Sequence, residues 1–204
     1  MNIIPTITSL NLVKSISESV DTFHHHYHIL YDIGHLFSDT INYVEIGCYA
    51  GGSVCLMLQR PNTNVFSIDM GKPIAKEIVI NNVNKYNIHN NNFRYIKGNS
   101  QTPTVVSELK NNLKGNIDIL FIDGGHSYND VITDFNTYKD LVNKGGYIIF
   151  DDYNDYQFSP DVKPAVNTIV SNLVGYDIIG TIKNNLGARP MELKEGNCFI
   201  LKKI

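Results

Sequence analysis

The chain has 204 residues, of which 43% are hydrophobic and 18% charged, with a formal net charge of −3. That length suits one domain with one sizeable core, the composition excludes disorder over most of the chain, and the near-neutral balance points away from nucleic acid. No run of about 18 apolar residues suggests a membrane span, and no basic segment leads into a continuous apolar run near the start, so a cytoplasmic protein is expected.

The first 40 residues are expected to form a helical cap or lid on a domain spanning 41–204. Leu12, Ile16, Val20, Phe23, Tyr27, Leu30 or Tyr31, and Gly34 recur every three or four positions, which predicts one or two helices with a core-facing stripe over residues 12–37. Within it, His24-His25-His26-Tyr27-His28 contains histidines at i and i+4, neighbours on one helix face. Phe23 and Tyr27 occupy the apolar stripe, so the histidines are expected on its flanks, on a solvated or lid-lining face and not at a metal.

From Tyr43 short β-prone runs alternate with helical stretches: YVEIG, SVCLMLQ, NVFSID, KEIVINNVNKY, FRYIKG, VVSELKNNL, IDILFID, SYNDVITDFNTYKDLVNK, GYIIFDD. Such alternation means βαβ units and a parallel sheet. VKPAVNTIVSNL reads as another helix, and YDIIGTIK and NCFILKK as a closing pair of strands. The polar runs Asn81-Asn82 and Asn90-Asn91-Asn92 read as loops. Tyr128, Val131, Ile132, Phe135, Tyr138 and Val142 form the buried face of the crossover helix before GYIIFDD, which Lys144-Gly145-Gly146 is expected to end. Cys48, Cys55 and Cys198 form no CxxC pair and no zinc spacing, so three reduced thiols are expected.

Ligands of open α/β sheets bind beyond the carboxyl ends of the strands. The residues there are Gly47–Ser53, Asp69, Gly98-Asn99-Ser100, Asp123–His126 and Asp151-Asp152-Tyr153. In the first, a strand runs into a small-residue turn that opens a helix, so backbone can approach a ligand closely, and free N–H groups favour a carboxylate or phosphate. The spacing G-x-x-x-G-G is not the dinucleotide fingerprint. Asp69 lies about 20 residues further on, where an acidic side chain can accept hydrogen bonds from ribose hydroxyls; a turn or helix-cap role is the alternative.

Asp123 and Asp151-Asp152 end two predicted neighbouring strands, about 4.8 Å apart. Three close carboxylates repel unless a cation or protons intervene. Oxygen ligands with open positions suit Mg²⁺, Ca²⁺ or Mn²⁺. His126, three residues after Asp123, belongs to the type suited to a general base near neutral pH, with helix capping as the alternative.

Together these motifs resemble a class I S-adenosylmethionine-dependent methyltransferase. Ile122–Asp134, followed by Gly145–Tyr153, is similar to the branch of macrocin-type sugar O-methyltransferases and cephalosporin-hydroxylase-like proteins. The resemblance covers residues 42–155 and continues more weakly to the end. It implies a Rossmann-like, doubly wound, seven-stranded sheet whose last strand is antiparallel. It assigns the methionine end of the cofactor to Glu45, Gly47 and the turn Tyr49, Ala50, Gly51, Gly52 and Ser53. The ribose falls to Asp69, the adenine to Met70, Asn99 and Ser100, and the amino end to Asp123 and Gly124. It implies a divalent metal, Mg²⁺ first, on Asp123, Asp151 and Asp152. The branch carries an Asp base where this chain has Gly125, which leaves His126, with Asp123, as the expected catalytic pair. Apart from the resemblance, Arg189, in the loop Gly187–Pro190, could reach an anionic acceptor, but a plain surface arginine is the preferred reading.

The implied activity is methyl transfer to a hydroxyl of a small molecule, a sugar or nucleotide sugar. N-methylation of an amino sugar, a hydroxylase-like relative and an inactive cofactor-binding subunit remain alternatives. A homo-oligomer is expected, since C₂ dimers are the commonest assembly, with the N-terminal stripe as a candidate interface.

Overall fold

The structure, a computed structural model, describes residues 7–20, 25–182 and 196–204. Seven strands form one sheet: β1 (Ile41–Ile46), β2 (Thr63–Asp69), β3 (Phe93–Lys97), β4 (Ile117–Ile122), β5 (Val142–Phe150), β6 (Tyr176–Thr181) and β7 (Phe199–Lys203). Their order is β3-β2-β1-β4-β5-β7-β6. The neighbours from β3 to β5 are parallel. Strand β7 runs antiparallel to both β5 and β6. Ile46 stands beside both Ile68 and Ile122, and Ile122 beside Phe150, so four strands end along one edge. The fold is the one the motifs imply, a Rossmann-like sheet with its last strand reversed.

The strands read as apolar runs because helices cover both faces. Tyr43, Ile119, Phe121, Tyr147 and Ile149 pack on one side with α1 (Ile7–Ser17), α2 (His28–Gly34), α3 (Gly52–Met57) and α4 (Lys76–Tyr86). Val44, Ile46, Leu120, Ile122, Ile148 and Phe150 face the other side, with α5 (Pro103–Asn112), α6 (Tyr128–Tyr138) and α7 (Val162–Ser171). This is the period-two alternation of a strand. Helix α6 starts with a reciprocal cap: the Asp130 amide donates to the Ser127 hydroxyl at 3.2 Å, and that hydroxyl donates to the Asp130 carboxylate at 2.6 Å. Arg60, 5% exposed, donates to the carbonyls of Gly34, Phe37 and Asp39 at 2.8–2.9 Å. It thereby fastens the end of α2 to the turn before β2.

The stripe from Ile16 to Gly34 is buried where it is described, but against α3 of the same chain. It is therefore not an open face for a second copy. The helix breaks into α1, a 3₁₀ turn at His25–Tyr27, and α2. That break corrects the reading of the histidines. A 3₁₀ turn advances about 120° per residue instead of 100°, and His26 and His28 both finish at 0% exposure, on neither a solvated nor a lid-lining face. Phe23 and His24 lie outside the described residues, as does Arg189.

Two further expectations are corrected. Lys144-Gly145-Gly146 does not end the crossover helix: α6 stops at Tyr138, a short 3₁₀ turn follows, and the glycines lie inside β5, where its register against β4 shifts. A glycine pair near a strand start serves a bulge as well as a helix stop. Asn81 and Asn82 lie in α4, not in a loop, and the Asn82 amide donates to the Ala50 carbonyl at 2.8 Å. Asn90–Asn92 do fall between α4 and β3. The three cysteines are free and buried. Among the described residues no helix is long and apolar enough to cross a membrane.

Candidate active site

The strand order reverses between β1 and β4, and that switch point opens a crevice for ligands at the carboxyl edge. A cavity of about 700 Å³ lies there, within the usual range for small-molecule and cofactor sites.

Its first wall is the turn after β1. Gly47 has φ 82°, and a β-carbon there would stand 1.9 Å from the Asp123 carbonyl oxygen. Only glycine lets β1 and β4 end so close together. The turn is held from β2: Asp69 Oδ2 accepts from the amides of Cys48 at 2.9 Å and Tyr49 at 3.3 Å, and Oδ1 from the amide of Gly71 at 2.6 Å. Asp69 thus braces the glycine turn while still facing the cavity.

Of the residues assigned to the cofactor, Gly47, Tyr49, Gly52, Ser53, Asp69, Met70, Asn99, Ser100, Asp123 and Gly124 line this cavity. Glu45, Ala50 and Gly51 are not in its lining. Glu45 is fully buried and accepts the Tyr43 hydroxyl at 2.7 Å. Burial, with the Asp123 charge adding to it, pushes its carboxyl up to about 8 against the opposing hydrogen bonds. Ala50 is 2% exposed, and Gly51 packs on Val79 of α4.

The second wall is built by the ends of β4 and β5. Asp123 follows β4, and one oxygen of each of Asp123 and Asp152 clusters with a ring nitrogen of His126, all within 4.8 Å of one another. His126 Nε2 stands 3.4 Å from Asp152 Oδ2 and 3.7 Å from Asp123 Oδ1. Burial, then the Asp151 charge, raises the Asp123 carboxyl to about 7. The facing Asp123 carboxylate, aided by Asp152, raises His126 to about 8 against the effect of burial. A proton on this imidazole is what balances the carboxylates when nothing else does.

Asp151 takes a different direction. Its Oδ1 meets His26 Nε2 at 2.7 Å and accepts from the Cys198 thiol at 3.5 Å, all in the protein interior. Asp152 carries a left-handed φ of 56°, and this sharp turn sends the two neighbouring side chains to different places. The three aspartates named from the sequence are therefore divided: Asp123 and Asp152 face the cavity, and Asp151 anchors the His25–Tyr27 turn.

Sequence reasoning missed several cavity residues. Tyr27, placed only in a core stripe, also lines the cavity and donates its hydroxyl to Asp123 Oδ2 at 2.9 Å. Asp134 lines it too, accepting from Ser100 at 2.7 Å; burial lifts its carboxyl to about 6. Its signal was its place one helical turn and a half into α6 on the buried side. Gln101, Lys72 and Pro73 complete the rim, and no sequence pattern marked them.

Comparison with known proteins agrees with this geometry. Residues 44–153 match the family model described as a methyltransferase domain. The chain is 43% identical to the uncharacterized protein R132 of Acanthamoeba polyphaga mimivirus over 198 residues, covering 89% of this chain and 88% of that one. Among solved structures it is similar to the O-methyltransferase TomG of Streptomyces achromogenes, involved in tomaymycin synthesis and solved with SAM: TM-score 0.66, 13% identity, 97% of this chain and 87% of that one. It is also similar to CalS11, a TDP-rhamnose 3'-O-methyltransferase of calicheamicin biosynthesis: TM-score 0.56, 13% identity, 96% and 92% covered. At such identities the structures speak for the fold, while the matched segment runs from β1 through the glycine turn, Asp69, Asp123 and His126 to Asp152. The chain therefore belongs to the methyltransferase-domain family, and its fold is that of the class I S-adenosylmethionine-dependent methyltransferases.

Proposed function

We propose that this protein transfers a methyl group from S-adenosylmethionine to a hydroxyl of a small molecule, of the sugar or nucleotide-sugar class, with a divalent cation assisting. The observation that carries this reading is that Asp123, His126 and Asp152 converge in the same cavity as the glycine turn braced by Asp69. The sugar class draws support from CalS11, which acts on TDP-rhamnose.

The residues suit both groups. The cofactor half offers a close-approach backbone turn, the Asp69 carboxylate for ribose hydroxyls and polar side chains at Asn99 and Ser100. The acceptor half offers the carboxylate oxygens of Asp123 and Asp152 in a partly buried pocket, donors that suit Mg²⁺ or Mn²⁺. Asp123 and Asp152 would hold the cation. When bound, the cation supplies positive charge that lowers the pKa of an adjacent hydroxyl, and S-adenosylmethionine supplies the methyl group. His126 Nε2 would take the hydroxyl proton, so that the acceptor oxygen can receive the methyl group. Tyr27 keeps one oxygen of Asp123 occupied, so that the other faces the acceptor.

The test is methyl transfer from labelled S-adenosylmethionine to a panel of nucleotide sugars and amino sugars, with and without chelator. Product on a hydroxyl, lost on chelation and restored by Mg²⁺ or Mn²⁺, is expected. Full activity in excess EDTA after exhaustive dialysis would remove the cation from the mechanism. Labelling confined to amino groups would replace O-transfer by N-transfer.

A further inference from the structure

Beyond Asp69 the cavity is bordered by the loop after β3 and by α6. Ile46 and Ile68, which belong to the same face of the sheet as α6, give this part of the wall its apolar surface. Polar groups meet there in a fixed arrangement. Ser100 is held at two points by α6: its hydroxyl donates to Asp134 Oδ1 at 2.7 Å, and its carbonyl accepts the Tyr138 hydroxyl at 2.5 Å. One turn earlier on the same helix, Asp130 Oδ1 accepts from the Gln101 side-chain amide at 3.2 Å. Asp130, Asp134 and Tyr138 follow one another at four-residue spacing, so they share one face of α6 and clamp the loop after β3 in place. Asp134 is 1% exposed and yet borders the cavity. Its Oδ2 faces Gly124, where a β-carbon would lie 3.5 Å away, and the glycine leaves that side of the carboxylate uncovered.

The chemistry of this corner is one-sided. An ionised carboxylate only accepts, and a serine hydroxyl that has directed its one proton elsewhere only accepts as well. Asn99 supplies the complement: its side-chain oxygen accepts from the Gln101 amide at 2.8 Å, and its NH₂ group remains to donate. Adenine is a flat ring whose 6-amino group donates and whose neighbouring ring nitrogen accepts. Hypoxanthine reverses both, with an oxygen at position 6 and a proton on that nitrogen. We propose that Asp134 is the residue that selects adenine in the cofactor: its carboxylate, steadied by Ser100, accepts from the 6-amino group and rejects a purine with oxygen there. The inference rests on S-adenosylmethionine as the cofactor of this cavity, and it is independent of the acceptor and of the cation. A carboxylate against a carbonyl oxygen sets two acceptors face to face with no proton to share. In a buried corner no water relieves them, so the mismatch is costly. Shape alone could not make the distinction, since amino and oxo groups are alike in size. The selecting group comes from the crossover helix, not from the strand ends where the sequence motifs gather.

Calorimetry with S-adenosylhomocysteine and its 6-oxo analogue, S-inosylhomocysteine, tests this at about pH 8, above the value of about 6 to which burial lifts the Asp134 carboxyl. Wild type should bind the amino compound about 100-fold more tightly, which reflects one charge-assisted hydrogen bond gained and one pair of opposed acceptors avoided. Asp134→Asn keeps the shape and an oxygen for Ser100, but it can turn an NH₂ group toward the purine. It should weaken S-adenosylhomocysteine about 10- to 100-fold and bring the ratio of the two affinities to about one or below. Ser100→Ala, which unpins the carboxylate without altering it, should narrow the ratio about 3- to 10-fold, and it reads the same corner if Asp134→Asn does not fold. Equal affinities in wild type would overturn the proposal and leave the cofactor assignment standing. A preference that survives intact in Asp134→Asn would overturn it as well. Binding of neither compound to wild type would overturn the cofactor assignment itself, and this proposal with it.

Discussion

Asp151 and Asp152 are adjacent in the chain and live in different worlds. Asp151 is 2% exposed and joined to His26 and Cys198 in the interior. Asp152, with Asp123 and His126, borders an open cavity. Each carboxylate has a histidine partner, but the inner pair is in contact at 2.7 Å and the outer pair stands apart at 3.4 Å. The difference separates two uses of the same chemistry. A buried, fully engaged acid–imidazole pair fastens one part of the chain to another. A partly exposed pair, held short of contact, keeps room for something to enter between its members.

The sharpest way to break that comparison is to remove each histidine in turn. His126→Gln should lower kcat by about 10²–10⁴-fold, the usual contribution of a positioned base, and, above about pH 8 where the raised imidazole no longer holds its proton, leave the urea midpoint almost unchanged. His26→Ala should act in the opposite sense, destabilising by about 3 kcal/mol because it strips a partner from a buried carboxylate; urea unfolding would measure it. If both variants shifted stability equally, the distinction between the two pairs would fail.

A smaller effect is expected on the cofactor side. Asp69→Ala loses charge-assisted hydrogen bonds to the Cys48 and Tyr49 amides of the turn and, on the proposed function, to the ribose. S-adenosylmethionine affinity should weaken by about 1–3 kcal/mol by calorimetry, with the acidic cluster untouched. Unchanged affinity would remove Asp69 from the binding site.

The mildest effect is on pH dependence. His126 is raised to about 8 by its facing carboxylates, Glu45 to about 8 and Asp123 to about 7 chiefly by burial. Each holds its proton more tightly folded than unfolded, so each contributes stability at low pH that is lost as pH climbs through its folded value. For the two acids that loss begins near their unfolded pKa of about 4, and for the histidine near about 6.5. The melting temperature of metal-free protein should therefore decline from about pH 6 to about pH 8. Added Mg²⁺ or Mn²⁺ should flatten the decline, since a cation between Asp123 and Asp152 does the work of the protons. A rising or level curve without metal would contradict the charge balance described for the cluster.

Much of this was legible before any coordinates. Strand ends announce themselves when an apolar run stops at Asp69, Asp123 or Asp151, and the parallel order follows from alternating periods of two and 3.6. The glycine turn was legible because glycine marks backbone, and backbone geometry is local. What lay hidden depended on direction. Nothing in the pair Asp151-Asp152 says that a left-handed residue will send the two side chains apart. Nothing in the string of histidines says that a 3₁₀ turn will carry His26 inward to meet a residue 125 positions away. Glu45, given to the cofactor by the resemblance, accepts the hydroxyl of its own strand neighbour Tyr43, a contact that no pattern in the sequence marks. Ser159, whose hydroxyl donates to Asp152 and meets His126, had no signal at all, since a lone serine in a polar loop becomes informative only when its two partners are seen.

Gly47 leaves a last consequence for how this molecule can change. The place where its β-carbon would go is already filled by the backbone of Asp123, and no rotamer choice can move a main chain aside. In a library of all single substitutions, position 47 should tolerate almost nothing, as strictly as any residue that handles a proton. Yet it has no side chain to lend to chemistry. What selection guards there is a spacing: the two walls of the cavity are kept at one separation by an atom that was never added.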